Sequence, residues 1–460
     1  MNGNRAFRVA ATGARVLTGA AVAAACVVGV IFAVSAPWPT IAHEPAQTAV
    51  TPLPADTVLV CNGDFRAIGR DSSNPLEMVS AASPRTTVDG SAGAPASEPL
   101  SADDLADGGS AQRLVGQVEG RTAPLLGATE SFALSEPDLF GLAAAPCRPA
   151  NTESWLVGGT VETGTEDLIV LTNPGVVPST VALTLYGSVR ASSTMIVPAQ
   201  SQVAVPLTSL AAGSELPIVQ VTATGSPVRA VLQSSLTRTL DPAGIDLQDA
   251  VPAPQQHPVI PGIQVFESPG DNSEMAVLRL MAPEAEAQAV VTVTEVGSAA
   301  IADEFTVPLT ADQPAEVSLS TLDPGVYTVQ IDADAPVLAA ARAQDGAGPE
   351  TDFAWVTPAP EIEDEVLVSV PAGPAPRLIV TNDADADATM QLAPVDGGDP
   401  IDVTVPAGSS ASVALKPRTV YRMVPSSTVH AAVTMTAAGA LAVWPVWPAA
   451  GAQQSITVYP

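Results

Sequence analysis

Residues 167–186 read DLIVLTNPGVVPSTVALTLY, and this stretch decides the fold. Apolar runs at 167–172 and 181–186 stand on either side of a break at residues 173–175, which are Asn, Pro and Gly. Runs of this length between turn residues predict two strands of a half-buried antiparallel sheet, and the Asn-Pro-Gly break predicts the turn between them. The pattern continues in QVAVPL at 202–207 and IVQVTA at 218–223. Beyond its N-terminal segment, the chain is therefore predicted to be all-β.

Short motifs recur along the chain. An apolar strand ends in Thr-Asn at 172–173 and again at 381–382. A Val-Pro turn followed by an alternating strand occurs three times, at 197–207, 307–319 and 405–415. A proline-containing ending also occurs three times, at 250–254, 355–360 and 446–449. The endings are about 90–110 residues apart, the size of an immunoglobulin-like sandwich.

We therefore predict tandem immunoglobulin-like β-sandwich modules, arranged in a row. Residues 56–150 are predicted to form a divergent N-terminal β module, whose Ser/Ala/Gly/Asp-rich segment 71–111 is a long loop or disordered insert. The three regular modules that follow are predicted at 151–262, 263–371 and 372–460.

The N-terminal segment predicts a membrane anchor. Residues 16–36 carry no charge and are long enough to span a bilayer as a helix. Three arginines lie in the stub 1–15, so the stub is predicted to be cytoplasmic and the rest extracytoplasmic. Residues 37–55 are predicted to be a proline-rich linker. A cleaved signal peptide is the open alternative, since residues 34–36 are small, and a lipoprotein attached at Cys26 is a weaker one.

The composition argues against a nucleic-acid partner. The chain has 18 Lys and Arg against 48 Asp and Glu, a formal net charge of -30. Such a chain repels nucleic acid and is suited to a solvated surface. Its 44 prolines favour short strands over long helices.

Two of the three cysteines, Cys61 and Cys147, lie on the predicted exported side. Disulfides persist in that compartment, so we predict a Cys61–Cys147 bridge, with two unpaired thiols or a partner-linked thiol as alternatives. Two cysteines this far apart in the sequence do not resemble a zinc site.

Six short motifs stand in order along the chain: CNG at 61–63, CRP at 147–149, WLVGG at 155–159, LTNPG at 171–175, Pro198 with VPL at 205–207, and PG at 261–262. In this order they resemble an actinobacterial family of secreted or membrane-anchored proteins that carries only a domain-of-unknown-function label. The resemblance covers about Asp56 to Pro460, and the chain departs from the family's pattern at Asn62, where proline is expected. The resemblance implies an exported location and a β-rich architecture, and it carries over no catalytic residues.

The sequence holds little that points to catalysis or to a cofactor. A Ser-His-Asp hydrolase needs a histidine beside an activated serine. His43 falls in the linker, His257 in a proline-rich junction and His430 in an alternating strand. Aromatic residues make up 4% of the chain, few for a sugar-processing cleft. We therefore expect a protein that is not an enzyme and has no cofactor.

Two residue sets are weak binding candidates. Asp383, Asp385 and Asp387 alternate in a predicted turn and offer the oxygen ligands that calcium prefers, although a solvated acidic turn explains them as well. Trp355 and Trp447 stand at module ends, either as a platform for a polymer or as packing between modules.

The sequence therefore predicts a single-pass cell-membrane protein that acts outside the membrane as a scaffold or accessory subunit of envelope proteins. The alternative is a cell-wall polysaccharide-binding protein, which requires exposed aromatic rings on a common face. An extracytoplasmic hydrolase ranks third and requires two buried neighbouring acids with raised pKa.

Overall fold

The computed structural model describes residues 3–35, 48–50, 53–74, 76–105, 108–267, 275–450 and 456–458. The chain divides into a small unit, Met1–Pro52 with Gln454–Pro460, and a large unit, Leu53–Gln453. In the small unit, helix α1 (Gly3–Ser35) is followed by strand β1 (Thr48–Val50), which pairs antiparallel with the C-terminal strand Ile456–Val458. Strand β1 lies within the predicted linker 37–55, and most of the other linker residues lie outside the described residues.

Helix α1 contains the apolar run found in the sequence. Residues Gly13–Val34 have a mean hydropathy of 2.4 and are long and apolar enough to cross a membrane. A signal sequence near the N-terminus has the same properties, so a membrane anchor and an exported protein both fit this helix.

The first part of the large unit consists of eight strands in three small sheets. In these sheets β7 lies between β2 and β6, β8 lies between β5 and β9, and β3 pairs with β4. The strands are β2 (Thr57–Cys61), β3 (Phe65–Ile68), β4 (Met78–Ala82), β5 (Arg85–Gly90), β6 (Ala96–Pro99), β7 (Gln112–Gly116), β8 (Leu126–Ser135) and β9 (Phe140–Pro146).

The segment 71–111 differs from its prediction as a loop or disordered insert, because it contains β4, β5 and β6. These strands are built mainly from Ser, Ala, Thr and Gly, and β6 is exposed along its whole length. Without alternating large apolar side chains, they give no hydrophobic period in the sequence.

Three groups of eight strands follow, which we call repeats one, two and three. Repeat one is β10 (Glu153–Leu156), β11 (Thr165–Asn173), β12 (Ser179–Tyr186), β13 (Ala191–Val197), β14 (Ser201–Pro206), the short helix α2 (Thr208–Ala211), β15 (Ile218–Gly225), β16 (Arg229–Arg238) and β17 (Asp241–Asp249). Repeat two is β18 (Val259–Val265), β19 (Ala276–Met281), β20 (Ala287–Glu295), β21 (Ile301–Leu309), β22 (Ala315–Ser318), β23 (Gly325–Ala333), β24 (Leu338–Gln344) and β25 (Phe353–Val356). Repeat three is β26 (Val366–Val370), β27 (Arg377–Asn382), β28 (Ala388–Pro394), β29 (Ile401–Val405), β30 (Ser409–Ala414), β31 (Thr419–Pro425), β32 (His430–Ala437) and β33 (Ala440–Pro445).

All three repeats have the same strand order. In repeat one the two sheets run β10-β15-β12-β13 and β14-β11-β16-β17, and the corresponding strands of repeats two and three pair identically. Every pair is antiparallel. Ile169 and Leu171 of one sheet share a buried core with Val181, Leu183 and Leu185 of the other. The two runs in residues 167–186 therefore belong to the two layers of one repeat.

The strand pairing places repeat boundaries earlier than the sequence predicts. Strand β18 crosses the predicted boundary after residue 262 and pairs with β23, within repeat two. Strand β26 lies before the predicted boundary after residue 371 and pairs with β31, within repeat three. Pro261 and Pro371, which suggest module ends in the sequence, lie in or directly after the first strand of the next repeat.

The repeats form a closed circle, so the prediction of a row was wrong. The last strand of each part contacts the next: β9 contacts β17, β17 contacts β25, β25 contacts β33, and β33 contacts β9. These four strands are each the outer strand of a sheet, and their edges face one another at the centre. Mutual coverage protects edges that would otherwise be open to other chains.

The recurring Thr-Asn and Val-Pro motifs contact each other within a repeat. The Asn173 amide nitrogen donates to the carbonyl oxygens of Val197 and Pro198, at 3.2 and 2.9 Å. In repeat three, the Asn382 amide nitrogen lies 3.1 and 3.2 Å from the carbonyl oxygens of Val405 and Pro406. In repeats one and three, a buried asparagine therefore ties the end of the second strand to the turn after the fourth.

We predict that Asn382→Ala destabilises the protein by about 2–4 kcal/mol, because buried backbone carbonyls lose their donor. Chemical unfolding of the full chain measures the change. Asn74→Ala is the matched control, since Asn74 is exposed and its side-chain amide donates to the carboxylate of Glu77 at 3.4 Å, the far end of hydrogen-bond range. Equal stability of the two variants would contradict the bracing role.

Candidate functional site

Cys61 and Cys147 form a disulfide that joins β2 to the residue after β9. Both are buried, and a carboxylate oxygen of Glu130 lies within 4.8 Å of their sulfurs. The Glu130 carboxylate accepts the N–H groups of Asn62 and Gly63 at 2.6 and 3.2 Å. Burial raises the pKa of Glu130 to about 7, against the lowering influence of Arg229 and of these N–H groups. In the disulfide state the sulfurs are not thiolates, so the three side chains do not form a metal site.

The four central strands meet at one carboxylate. Asp352 directly precedes β25 and is completely buried. Its Oδ2 accepts the N–H groups of Leu142 on β9 and Leu441 on β33, at 2.7 and 2.8 Å. Its Oδ1 accepts the N–H of Ile245 on β17, at 3.0 Å. One side chain therefore bonds the backbone of all three other parts of the circle.

Two glycines make room for this carboxylate. Gly141 and Gly244 have φ of 133° and 128°, values that favour glycine. A Cβ at Gly141 would overlap the Asp352 carboxylate, and one at Gly244 would lie 3.0 Å from its Oδ1. The hydrogen bonds of Asp352 therefore require glycine at both positions.

The Asp352 carboxylate has no cationic partner among the groups that shift its pKa. Burial raises this pKa well above its usual value, and N–H groups of all four central strands lower it again. Asp345 adds a second carboxylate at the centre, which accepts the N–H of Asp352 at 2.6 Å and that of Gly439 at 2.8 Å. Both aspartates therefore bind backbone donors across the circle.

Arg279 joins repeats one and two. It is buried, donates to the carbonyl oxygen of Gly159 at 2.7 Å, and pairs with Glu316 at 2.9 Å. Its guanidinium carbon lies 4.7 Å from the centroid of the Trp355 ring, a cation–π contact. The ring of Trp355 is 4% exposed and therefore packs within the interface.

Two buried acids lie in the same interface, which is the feature that a hydrolase would require. Asp246 accepts the N–H of Trp355 at 2.8 Å, and Asp167 accepts that of Thr160 at 2.7 Å. Burial raises the pKa of Asp246 to about 8 and that of Asp167 to about 6, and the Asp167 charge contributes to the rise at Asp246. A pocket of about 290 Å³, including its open mouth, is lined by Asp167 but not by Asp246. The two acids do not converge on this space.

Trp447 lies where repeat three meets the N-terminal strands. The Arg148 guanidinium carbon is 3.1 Å from the centroid of the Trp447 ring, and Arg148 pairs with Asp249 at 2.8 Å. A groove of about 530 Å³, including its open mouth, runs beside Trp447. Trp447 is half-buried. Both candidate tryptophans thus pack at junctions, and they do not share an exposed face.

The acidic turn of repeat three is exposed, as its sequence predicts. Asp383 lies 3.7 Å from the Nε2 of His430, and the neighbouring imidazole lowers the pKa of the Asp383 carboxyl. Asp387 accepts the N–H of Ala407 at 3.1 Å. Asp385 is exposed beside them. His430 itself is buried with Nδ1 2.8 Å from the carbonyl oxygen of Ala359, a structural position.

Asp352, Arg279 and the pair Asp167 and Asp246 were not identified from the sequence. Asp352 lies outside any strand pattern, and its three donors come from strands that are distant in the chain. One signal was present: the motif endings that recur in the sequence overlap or directly follow the strands that meet at the centre.

The fold and its interfaces define an all-β protein of four joined parts, with one internal disulfide and an apolar N-terminal helix. The chain belongs to a family of unknown function, DUF5719, whose model matches residues 102–418. The match extends from the N-terminal strands into repeat three, in agreement with the resemblance found in the sequence. No curated protein matches the chain.

We predict that Asp352→Ala destabilises the protein by at least about 3 kcal/mol, because three buried N–H groups lose their acceptor. Chemical unfolding measures the loss, and exposed Asp396→Ala is the control, expected within about 0.5 kcal/mol of the parent. A small effect at Asp352 would mean that packing alone holds the circle together.

We predict that stability falls as the pH rises from 5 to 8. In the folded chain Glu130, Asp167 and Asp246 keep their protons up to about pH 7, 6 and 8. The unfolded chain releases these protons near pH 4, so the folded chain binds more protons in this window and loses stability as they dissociate.

Asp246→Asn should flatten this pH profile, because an amide oxygen still accepts the Trp355 N–H without a buried charge. Relative to the parent, the variant should gain about 1 kcal/mol or more between pH 5 and 8. Melting temperatures across this range provide the measurement. Asp396→Asn should run parallel to the parent, and a parallel profile for Asp246→Asn would disprove the assignment.

Proposed function

We propose that this protein is a non-enzymatic envelope protein, anchored to the membrane by α1, that acts outside the membrane as a scaffold or accessory subunit. The observation that carries the proposal is that the buried charged side chains connect different parts of the circle. Asp352, Arg279 and Arg148 all bind groups in other parts of the circle. Such contacts fix the relative positions of the four parts, which a scaffold needs.

The N-terminal segment supports a membrane-anchored, extracytoplasmic location. Residues Gly13–Val34 are long and apolar enough to cross a membrane, and Arg5, Arg8 and Arg15 lie before their uncharged run, which begins at Val16. Arginines before a membrane span favour a cytoplasmic N-terminus. The disulfide between Cys61 and Cys147 suits an oxidising compartment.

A hydrolase is the competing proposal, and the raised pKa values of Asp167 and Asp246 favour it. Perturbed acids occur at catalytic sites, but they also occur in structural networks. Here both accept backbone N–H groups, and only Asp167 lines the neighbouring pocket. The structural role explains both acids without a substrate.

The test is crosslinking and mild-detergent purification of the tagged full chain from its native membranes, with partners identified by mass spectrometry. We expect one or more envelope proteins at near-equal amounts, and none from an untagged strain. Asp167→Asn should retain the same partners.

Other results would replace the proposal. Recovery of the protein alone would contradict the scaffold role, and recovery with wall polymer alone would favour polysaccharide binding. A hydrolytic activity that Asp167→Asn abolishes would establish the competing proposal.

A further inference from the structure

Three equivalent strands form the outer edges of the repeats. They are β13, β21 and β29, the fourth strand of each repeat, and each pairs on one side only among the strands that the structure describes. An open edge presents free backbone N–H and C=O groups, and proteins usually protect it with charges, proline, bulges or short length. The three edges can therefore be compared directly.

Two of the edges carry such protection. Strand β21 contains Asp303, Glu304 and Pro308, and its pairing with β20 has a register shift. Strand β29 is five residues long and contains Asp402. These features discourage the addition of another strand to β21 or β29.

The third edge, β13, lacks them. Its seven residues, ASSTMIV, include no charge and no proline, and its register with β12 is continuous. Ser192, Ser193 and Thr194 are exposed. Ile196 is 67% exposed, so a large apolar side chain also faces water on this edge.

An exposed apolar pair lies before β12, at the same end of the edge as Ile196. Val176 and Val177 are 76% and 51% exposed, and Ser179, two residues after Val177, pairs with Val197 next to Ile196. The edge thus offers backbone groups along its length and apolar contacts at one end. Strand addition uses both kinds of contact.

We propose that β13 binds an extended segment of another protein, which adds as a further strand to the sheet of repeat one. This proposal rests on the scaffold function and names the surface that a partner uses. The segment is uncharged over about seven residues, the length of β13, because a charge within it would meet an uncharged edge.

The charge of the chain selects the partner. The formal net charge is -30, so two copies repel each other and a second copy is a poor occupant. Lys or Arg residues beside the uncharged segment are attracted by the same field. The expected occupant is therefore an uncharged extended segment with basic flanks.

The test places a photo-crosslinking amino acid at Ser192 on β13 in the full chain, in native membranes. Mass spectrometry then identifies the crosslinked peptide and its sequence. The same probe at Ala302, an exposed position on β21, is the control. We expect an adduct from position 192 only, with an uncharged, basic-flanked segment of another protein.

Two matched variants separate the edge from the rest of the surface. Thr194→Lys with Ile196→Lys places ammonium groups on exposed positions of β13, which should repel the basic flanks and lower the adduct yield about tenfold. Thr306→Lys with Ile301→Lys makes the same changes on β21 and should leave the yield within about twofold. Melting temperatures check that both variants fold.

Each other outcome overturns the inference. No adduct at position 192, an adduct with a second copy, an adduct with an acidic segment, or equal yields from both variants would exclude β13 as this docking strand. If partners still co-purify with the β13 variant in undiminished amounts, the scaffold function stands and only the docking strand is wrong. If no partner co-purifies with the parent, the scaffold function fails as well.

Discussion

The bonding of the Asp352 carboxylate to three strands is the interaction on which the large unit depends. Each part of the circle ends in an outer strand whose backbone donors are open, and burying such donors without acceptors would be costly. Asp352 accepts one N–H from each of β9, β17 and β33. The carboxylate thus lets four sheet edges meet in a buried interior. Burial raises the pKa of Asp352 well above its usual value, and the N–H donors of the four central strands counteract this shift.

The buried charged groups in the interfaces around the circle also need partners. Arg279 and Arg148 are buried, and each combines a carboxylate partner with a tryptophan ring. A guanidinium group suits this position because it is planar. It can pair with a carboxylate at its edge and stack its face on an aromatic ring. Burial in the interface between repeats one and two also raises the pKa of Asp246. Closure of the circle and proton uptake are therefore physically linked.

Much of the fold could be predicted from the sequence, and the centre could not. Apolar runs between turn residues locate the strands in residues 167–186, and the Thr-Asn and Val-Pro motifs recur because Asn173 and Asn382 bond the turns. Local patterns of this kind appear in sequence. Asp352 gives no such signal, because its partners lie on strands far apart in the chain. Strands β4 to β6 were missed since their small polar residues carry no hydrophobic period.

An interior occupied by structural bonds leaves the outer surface for binding. That surface is acidic, and the two equivalent edges β21 and β29 carry acids that keep other strands away. Strand β13 departs from both, although the three share one topology and one kind of neighbour. Folding alone does not demand this difference, because the sheets of repeats two and three form with protected edges. Because folding does not require this difference, it points to a role for β13 in binding.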